Sequence, residues 1–133
     1  MKRGYKQLLA EAEAEIQSLS VEQALALHGA ADVLFVDLRD PREIQREGRI
    51  PGAFACPRGM LEFWVDPESP YAKPHFAEPK RFLFYCAGGW RSALAAKTVQ
   101  DMGLENVAHI TGGFSAWKQA GGPVESVEAG HKE

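Results

Sequence analysis

Short apolar runs recur along the chain and are separated by segments with helical spacing. Four of these runs, at residues 32–37, 53–56, 81–86 and 106–110, have the length of strands. The runs DVLFVD and RFLFYC are continuously apolar rather than alternating, which is typical of strands buried on both faces. The pattern therefore predicts four strands in a mostly parallel sheet.

Helical signals precede the first apolar run. Leu9, Ala12 and Ile16 share one face of an amphipathic helix over about residues 5–17. The sequence SVEQ, which begins at Ser20, has the spacing of a capping box and predicts a second, short helix.

Further helices are predicted between the apolar runs. Asp40 can cap a helix in which Pro41 takes the first position and Glu43 completes the capping box, and Gly48 ends it. Another helix is predicted over residues 92–102, and TGGFSAWKQAGG predicts a turn, a short helix and a glycine stop. Strands that alternate with helices indicate an α/β domain with right-handed crossovers.

Residues 57–80 interrupt this alternation with five prolines and four large aromatic residues. We expect a long ordered loop with one helical turn around residues 60–64, since the segment is too aromatic for a disordered linker. Its aromatic side chains are interpreted as an extension of the core, with a lid over the site as the alternative.

The length of 133 residues fits one domain. We assign residues 1–19 to an N-terminal helix that packs on the domain, residues 20–124 to the domain itself and residues 125–133 to a C-terminal tail.

Composition narrows the classes of function. The formal net charge of −3, without a basic stripe, gives no support for nucleic-acid binding, and no apolar run is long enough to cross a membrane. The N-terminus lacks the apolar core of a signal peptide, so we expect a cytoplasmic protein. Two cysteines, no CxxC pair and four scattered histidines predict neither a disulfide framework nor a metal site, and no cofactor is implied.

Ligands of parallel α/β sheets bind beyond the carboxyl ends of the strands. In this chain three arginines, Arg39, Arg58 and Arg91, follow the predicted strand ends, and glycines accompany them. The arrangement predicts a site that favours an anion, with Cys86 at its centre.

The segment CAGGWRS gives Cys86 a setting suited to chemistry. Cys86 ends a strand, Gly88 and Gly89 permit a tight turn, and the N–H groups from Ala87 to Ser92 can curl around the sulfur as a nest before a helix. Such a field favours the thiolate, which is both a nucleophile and a good leaving group. An isolated cysteine at a strand end is more often a small buried hydrophobe, but the surrounding residues favour the reactive interpretation.

Alternatives stay open for the neighbouring residues. Arg91 either binds an anion or braces the loop by pairing with Glu43, and bracing is slightly favoured. Trp90 either lines a substrate pocket or covers the loop. Cys56 is interpreted as a core residue rather than a second reactive thiol.

Three segments together resemble the single-domain rhodanese family of sulfurtransferases. FVDLRDPREIQREGRIPGA resembles the first signature, although Arg49 stands where the family most often has histidine. CAGGWRS resembles the active-site loop Cys-x-x-Gly-x-Arg. GGFSAWKQAGGPV resembles the closing signature Gly-Gly-x-x-x-Trp, in which Trp117 takes the last position. The three occur in the family's order and spacing, between Val33 and Gly122.

The resemblance implies a three-layer α/β/α rhodanese-like fold with a five-stranded sheet. It implies that Cys86 carries a persulfide that the loop backbone holds. We also expect Ala87, Gly88, Gly89, Trp90 and Arg91 of the loop, together with Arg58, to contact the substrate. Asp37, Arg39, Glu43 and Ser92 are expected to support the loop rather than react.

The implied activity is transfer of sulfane sulfur from thiosulfate or a related persulfide donor to cyanide or a cellular thiol. The partners would be a small anionic donor and a thiophilic acceptor, which could be a protein. The alternative is a sulfur-relay or partner-binding module with little turnover on small donors, for which exposed aromatic residues around residues 63–76 could form a docking patch. A cysteine phosphatase is disfavoured, because those enzymes have five residues between cysteine and arginine and this chain has four, from Ala87 to Trp90.

Overall fold

Five parallel strands form one sheet in the computed structural model, which describes residues 1–127. The strands are Gln17–Leu19 (β1), Val33–Asp37 (β2), Phe54–Ala55 (β3), Arg81–Tyr85 (β4) and Val107–Ile110 (β5). Their spatial order is β1-β5-β4-β2-β3, and every neighbouring pair is parallel. The expected parallel sheet is confirmed, and β4, which leads to Cys86, lies at its centre.

Helices cover both faces of this sheet. They are Tyr5–Glu15 (α1), Val21–Leu27 (α2), Pro41–Glu47 (α3), Leu61–Val65 (α4), Trp90–Met102 (α5) and Gly113–Gln119 (α6). Side chains of α2 and α6 enter one apolar cluster, and side chains of α4 and α5 enter the other. Successive residues of β4 alternate between the two clusters, because a strand points consecutive side chains to opposite faces.

The predicted helix starts of α2 and α3 are confirmed by their caps. Ser20 Oγ accepts from Gln23 N–H, and the Gln23 side chain accepts from Ser20 N–H. Asp40 and Glu43 form the same reciprocal pair, and Pro41 occupies the first turn. Each box satisfies N–H groups that have no partner within the helix.

The predicted N-terminal helix is too long by two residues. It ends at Glu15, and Gln17–Leu19 is the edge strand β1, which pairs with β5. Three residues next to a helical pattern carry no strand signal of their own, so only the open edge of β5 selects this conformation.

Residues 57–80 contain more regular structure than one helical turn. They hold 3₁₀ turns at Arg58–Met60 and Pro74–Ala77 as well as α4. Phe76 is buried and Trp64 packs against the same apolar cluster, so part of this segment extends the core as expected. Phe63 and Tyr71 remain exposed.

The predicted C-terminal tail is anchored at its start. Glu125 and Arg49 exchange two backbone hydrogen bonds of 2.9 Å, and Arg49 Nε donates to a Glu125 carboxylate oxygen at 2.7 Å. Residues 128–133 of the predicted tail lie outside the described residues. Among residues 1–127, no helix combines the length and apolar character needed to span a membrane.

Candidate active site

Cys86 lies between the central strand β4 and the N-terminus of α5, at the carboxyl edge of the sheet. Its Sγ accepts a hydrogen bond from Gly89 N–H at 3.2 Å and another from Ser92 N–H at 3.4 Å. The Ser92 hydroxyl is 3.6 Å from the same sulfur. Gly89 adopts a φ of +107°, which lets the loop turn back over the sulfur. The site therefore directs two backbone N–H donors at one sulfur atom, a nest-like arrangement at the start of a helix.

Fewer backbone N–H groups contact the sulfur than in the nest predicted over residues 87–92, and we call this smaller set the cradle. Of those residues, Gly89 and Ser92 direct N–H groups to the sulfur. Ala87 uses its carbonyl to hold the loop, and a Cβ at Gly88 would meet no atom within 4 Å. The sequence predicted a helix that begins at Ser92, whereas α5 begins at Trp90. The first turn of α5 is therefore part of the cradle.

The first turn of α6 holds the cysteine loop through two backbone hydrogen bonds. Phe114 N–H donates to the Cys86 carbonyl at 2.8 Å, and Ser115 N–H donates to the Ala87 carbonyl at 3.1 Å. Gly113 permits this approach, since a Cβ there would lie 2.4 Å from the Cys86 carbonyl oxygen. The closing GGFSAW segment thus fixes the backbone of the cysteine loop.

Gly113→Ala is expected to lower the free energy of unfolding by about 3 kcal/mol, because the added methyl group displaces the loop backbone. Gly121→Ala is the matched control, since Gly121 also has a positive φ but would place its Cβ in open space. We expect it to cost about 1 kcal/mol. Urea denaturation measures both, and equal losses would refute a steric role of Gly113.

Asp37 and Arg39 form a buried network beside the loop. The Arg39 guanidinium donates to both carboxylate oxygens of Asp37, at 2.9 and 2.7 Å, and to the Gly48 carbonyl at 2.8 Å. The Tyr85 hydroxyl donates to Asp37 at 2.8 Å. Burial alone would lower the pKa of Arg39, but the hydrogen bond and charge of Asp37 outweigh it and raise that pKa. Burial, with the nearby Asp37 charge, raises the pKa of Tyr85 far above its ordinary value.

This network separates Arg39 from the expected anion site. Its guanidinium lies 4.2 Å from the ring centre of Phe114, and only 1% of its side chain is exposed. Arg39 is therefore not part of a solvent-accessible anion site together with Arg58 and Arg91, as the sequence had led us to expect. Arg39 instead connects the end of β2 to the start of α6, and its expected role in supporting the loop stays a prediction.

Arg91 braces the loop through Glu43, as the slightly favoured alternative predicted. Two guanidinium nitrogens donate to the two carboxylate oxygens at 2.8 and 2.9 Å. The hydrogen bond to Arg91 lowers the pKa of Glu43 to about 2, and the same pairing raises the pKa of Arg91. The pair connects α3 to the first turn of α5.

Glu43→Gln is expected to destabilise the protein by about 1–2 kcal/mol at neutral pH, a figure reduced for the partial exposure of Arg91. Glutamine can still complete the capping box, so the variant isolates the ion pair. Because the pKa of Glu43 is depressed in the folded state, its contribution is present above the ordinary value of 4.5 and is lost as pH falls to about 2.

Urea denaturation at neutral pH and at about pH 3 tests this dependence, since the gap between wild type and variant should shrink in acid. Glu47→Gln is the control, because Glu47 pairs with Lys118 on the exposed surface and a smaller change is expected. A gap that does not change with pH would contradict the assignment.

Two further predicted substrate contacts lie at the surface. The exposed indole of Trp90 packs on the exposed ring of Tyr5 from α1, with ring centres 5.0 Å apart. Arg58 donates to Glu62 at 2.9 Å and follows the edge strand β3. Trp90 thus borders the cysteine loop together with α1, whereas Arg58 lies two strands from β4.

A family model for the rhodanese-like domain matches residues 20–120. The chain belongs to the rhodanese-like domain family. The expected three-layer α/β/α architecture and five-stranded sheet are therefore confirmed. The family model begins after α1 and β1, so the helix that carries Tyr5 precedes the matched region.

Two relatives illustrate the range of the family. The chain is 32% identical over 102 residues to thiosulfate sulfurtransferase GlpE of Pseudoalteromonas translucida, covering 77% of this chain and 89% of GlpE. It is 36% identical over 91 residues to an uncharacterized Synechocystis protein, covering 68% of this chain. This chain spans about half of that second relative, 46% of its length.

A solved structure from Rhodopseudomonas palustris is more similar. It is 65% identical, superposes with a TM-score of 0.92, and the match covers 94% of this chain and 96% of that one. That protein is described as one of unknown function and a possible tyrosine phosphatase. Similarity thus establishes the rhodanese-like family.

Cys56 is a core residue of this rhodanese-like domain, as predicted. It is fully buried, and burial raises the pKa of its thiol to about 12. Cys56 and Cys86 are both free thiols. Among residues 1–127, no group of three or more histidine, cysteine or acidic side chains could hold a metal ion.

His109 is the site residue that the sequence analysis missed. It lies on β5 in register with Phe84 of β4, two residues before Cys86, and its Nδ1 is 3.0 Å from Ser92 Oγ. Residues in register on adjacent parallel strands point to the same face, so strand pairing would have placed His109 beside the loop. Without the pairing, the four histidines appeared scattered.

Proposed function

We propose that the protein is a sulfurtransferase that carries sulfane sulfur on Cys86. The observation that carries this proposal is the pair of backbone N–H groups, from Gly89 and Ser92, directed at the sulfur from the N-terminus of α5. Such donors stabilise a thiolate before reaction and the terminal sulfur anion of a persulfide after it. The similarity to GlpE supports the same chemistry.

The proposed reaction is a double displacement. In the first step the Cys86 thiolate attacks the sulfane sulfur of thiosulfate, the sulfur–sulfur bond of the donor breaks, and sulfite leaves with the bonding electron pair. Cys86 then carries a persulfide anion. In the second step a thiolate or cyanide attacks the outer sulfur, and the Cys86 thiolate leaves. Charge balances in each step, and no metal or redox cofactor is required.

The charges around the cradle suggest how an anionic donor is held. Arg91 and Arg58 each already pair with a carboxylate, so neither side chain offers an uncompensated positive charge. Recognition is therefore assigned mainly to the backbone donors and the N-terminal end of α5. Only 1% of Cys86 is exposed, which favours small donors that can enter beside Trp90.

A sulfur-relay module is the alternative within the same chemistry. In that case Cys86 would accept one sulfur and release it efficiently only to a protein partner. The exposed Phe63 and Tyr71 leave apolar surface for such a contact, although Phe76 of the same segment is buried. Turnover with small substrates separates the two roles, because an enzyme cycles with thiosulfate and cyanide whereas a relay module loads once.

Hydrolysis of phosphate esters is the competing hypothesis, since the Rhodopseudomonas protein is described as a possible tyrosine phosphatase. Two features of the site disfavour it. Only four residues separate Cys86 from Arg91, which leaves a narrow cradle for a phosphate group. In addition, both terminal nitrogens of the Arg91 guanidinium donate to Glu43, so the guanidinium is already paired with a carboxylate.

Intact-protein mass spectrometry tests the proposal. After incubation with thiosulfate we expect a gain of one sulfur atom, which cyanide then removes with the formation of thiocyanate. Mercaptopyruvate and a protein persulfide serve as further donors, and p-nitrophenyl phosphate serves as the phosphatase substrate. Failure of every sulfur donor, together with sustained phosphate release that requires Cys86, would replace the proposed function by the competing one.

A further inference from the structure

His109, Ser92 and Cys86 form a continuous line of polar atoms inside the protein. His109 Nδ1 is 3.0 Å from Ser92 Oγ, and Ser92 Oγ is 3.6 Å from Cys86 Sγ. All three residues are buried, with no more than 3% of any of them exposed. A polar histidine and serine in such a position act on each other and on the sulfur more strongly than they would in water.

The Ser92 hydroxyl has a single proton and three possible acceptors. They are the Cys86 sulfur, His109 Nδ1 and the Gly89 carbonyl, which is 3.3 Å away. If Nδ1 of His109 carries no proton, it competes with the sulfur for the proton of Ser92. If Nδ1 carries a proton, it donates to Ser92 Oγ, and the hydroxyl proton is free to turn toward the sulfur.

The surroundings of the sulfur favour the second arrangement. Gly89 and Ser92 already direct backbone N–H groups at Sγ, so the sulfur acts as an acceptor. A neutral thiol is a weak acceptor, whereas a thiolate or persulfide anion accepts several donors. A hydroxyl that donates to the sulfur adds a third donor to the same anion.

We propose that His109 is a positioning residue, whose Nδ1–H holds the Ser92 hydroxyl so that its proton points to the Cys86 sulfur anion. The inference rests on the proposed function in that this anion would be the nucleophile that carries sulfur. It assigns a role to a residue on β5 that lies 23 positions from Cys86 in the chain and does not touch the substrate.

The groups that face His109 allow this role without a charge on the ring. Burial lowers the pKa of His109, and the negative charge of Glu13 on α1 opposes that change only in part. The α5 helix contributes the Ser92 hydroxyl, β4 leads to Cys86, and β1 carries no ionisable side chain. A neutral ring with its proton on Nδ1 is sufficient for the proposed hydrogen bond.

The tautomer of His109 can be measured in the unmodified protein. We expect nitrogen NMR of histidine-labelled protein at about pH 8 to show a protonated Nδ1 and an unprotonated Nε2, with the signals assigned by comparison with His109→Asn. An unprotonated Nδ1 would overturn the proposal. The tautomer is read in the wild-type protein, and the variant serves only to assign the signal.

Alkylation of Cys86 by iodoacetamide provides the second test, in a Cys56→Ser background so that one thiol is followed. For His109→Leu we expect a rate on the order of tenfold lower near pH 6.5, the effect of one hydrogen bond to an anion, and rates that converge with wild type near pH 10. A variant that merely distorts the loop would be slower at both pH values, which would overturn the proposal.

His109→Asn and Ser92→Ala complete the test. Asparagine can place an amide donor near the position of Nδ1, so we expect it to restore most of the rate near pH 6.5. Once Ser92 is alanine, changing His109 to leucine should have no further effect, because His109 acts through that hydroxyl. Failure of asparagine to restore the rate, or additive effects of the two changes, would contradict the proposal. None of these readouts requires sulfur transfer, so failure of the proposed function is detected separately.

Discussion

Cys86→Ser is expected to abolish sulfur loading to undetectable levels. A serine hydroxyl does not ionise under the conditions that favour the thiolate, and it cannot form a persulfide. The two side chains differ little in size, and the Cys86 carbonyl can still accept from Phe114 N–H. We therefore expect a change of about 1 kcal/mol or less in the free energy of unfolding. Mass spectrometry after thiosulfate treatment measures the loading, and a urea denaturation curve measures the stability.

The other cysteine supplies the control for this prediction. Cys56 is fully buried and its pKa is raised to about 12, so Cys56→Ser should leave sulfur transfer largely unchanged. A hydroxyl in that apolar site costs about 1–3 kcal/mol, and the comparison should therefore be made well below the unfolding transition. Loss of transfer in folded Cys56→Ser protein would show that Cys56 has a chemical role.

Arg39→Leu is expected to give the largest loss of stability, about 3–5 kcal/mol. The substitution leaves the Asp37 carboxylate buried without its counter-ion and removes the donor to the Gly48 carbonyl. The end of β2 would then lose its connection to the Phe114 ring at the start of α6. Urea denaturation gives the loss directly, and sulfur loading shows whether the cysteine loop moves with it.

The double variant Asp37→Asn/Arg39→Leu separates the buried charge from the lost packing. Neutralising Asp37 removes the uncompensated carboxylate, so the double variant should be more stable than Arg39→Leu alone. If the double variant loses the sum of the two single effects, the ion pair would not be the reason for the destabilisation.

Several elements could be predicted from sequence because their signals are local. The capping boxes at Ser20 and Asp40 specify where α2 and α3 begin, since each box depends on residues only three positions apart. The apolar runs that became β2 and β4 are buried on both faces, and such runs have few alternatives in an α/β chain. Cys86 and the glycines after it were also placed correctly, between a strand and a helix.

Other features could not be predicted because they depend on contacts distant in sequence. The β1 strand exists because β5 offers it an unpaired edge, and nothing in Gln17–Leu19 itself indicates a strand. Arg39 appeared to be one of three arginines at an anion site, yet Asp37 holds it in the interior. Glu43 and Arg91 are 48 positions apart, and sequence could suggest their pairing only as one of two alternatives.

By itself, the sequence determined the fold class, the parallel sheet and the position of Cys86 between a strand and a helix, because periodicity, caps and glycines act over a few residues. Tertiary structure decided which groups surround that cysteine. The order of the strands places β5 beside β4, and only this neighbourhood brings His109 to Ser92 and Gly113 to the Cys86 carbonyl. Hydrogen bonds and close packing depend on distances of a few ångströms, which are set only when the strands have paired and the helices have packed on them.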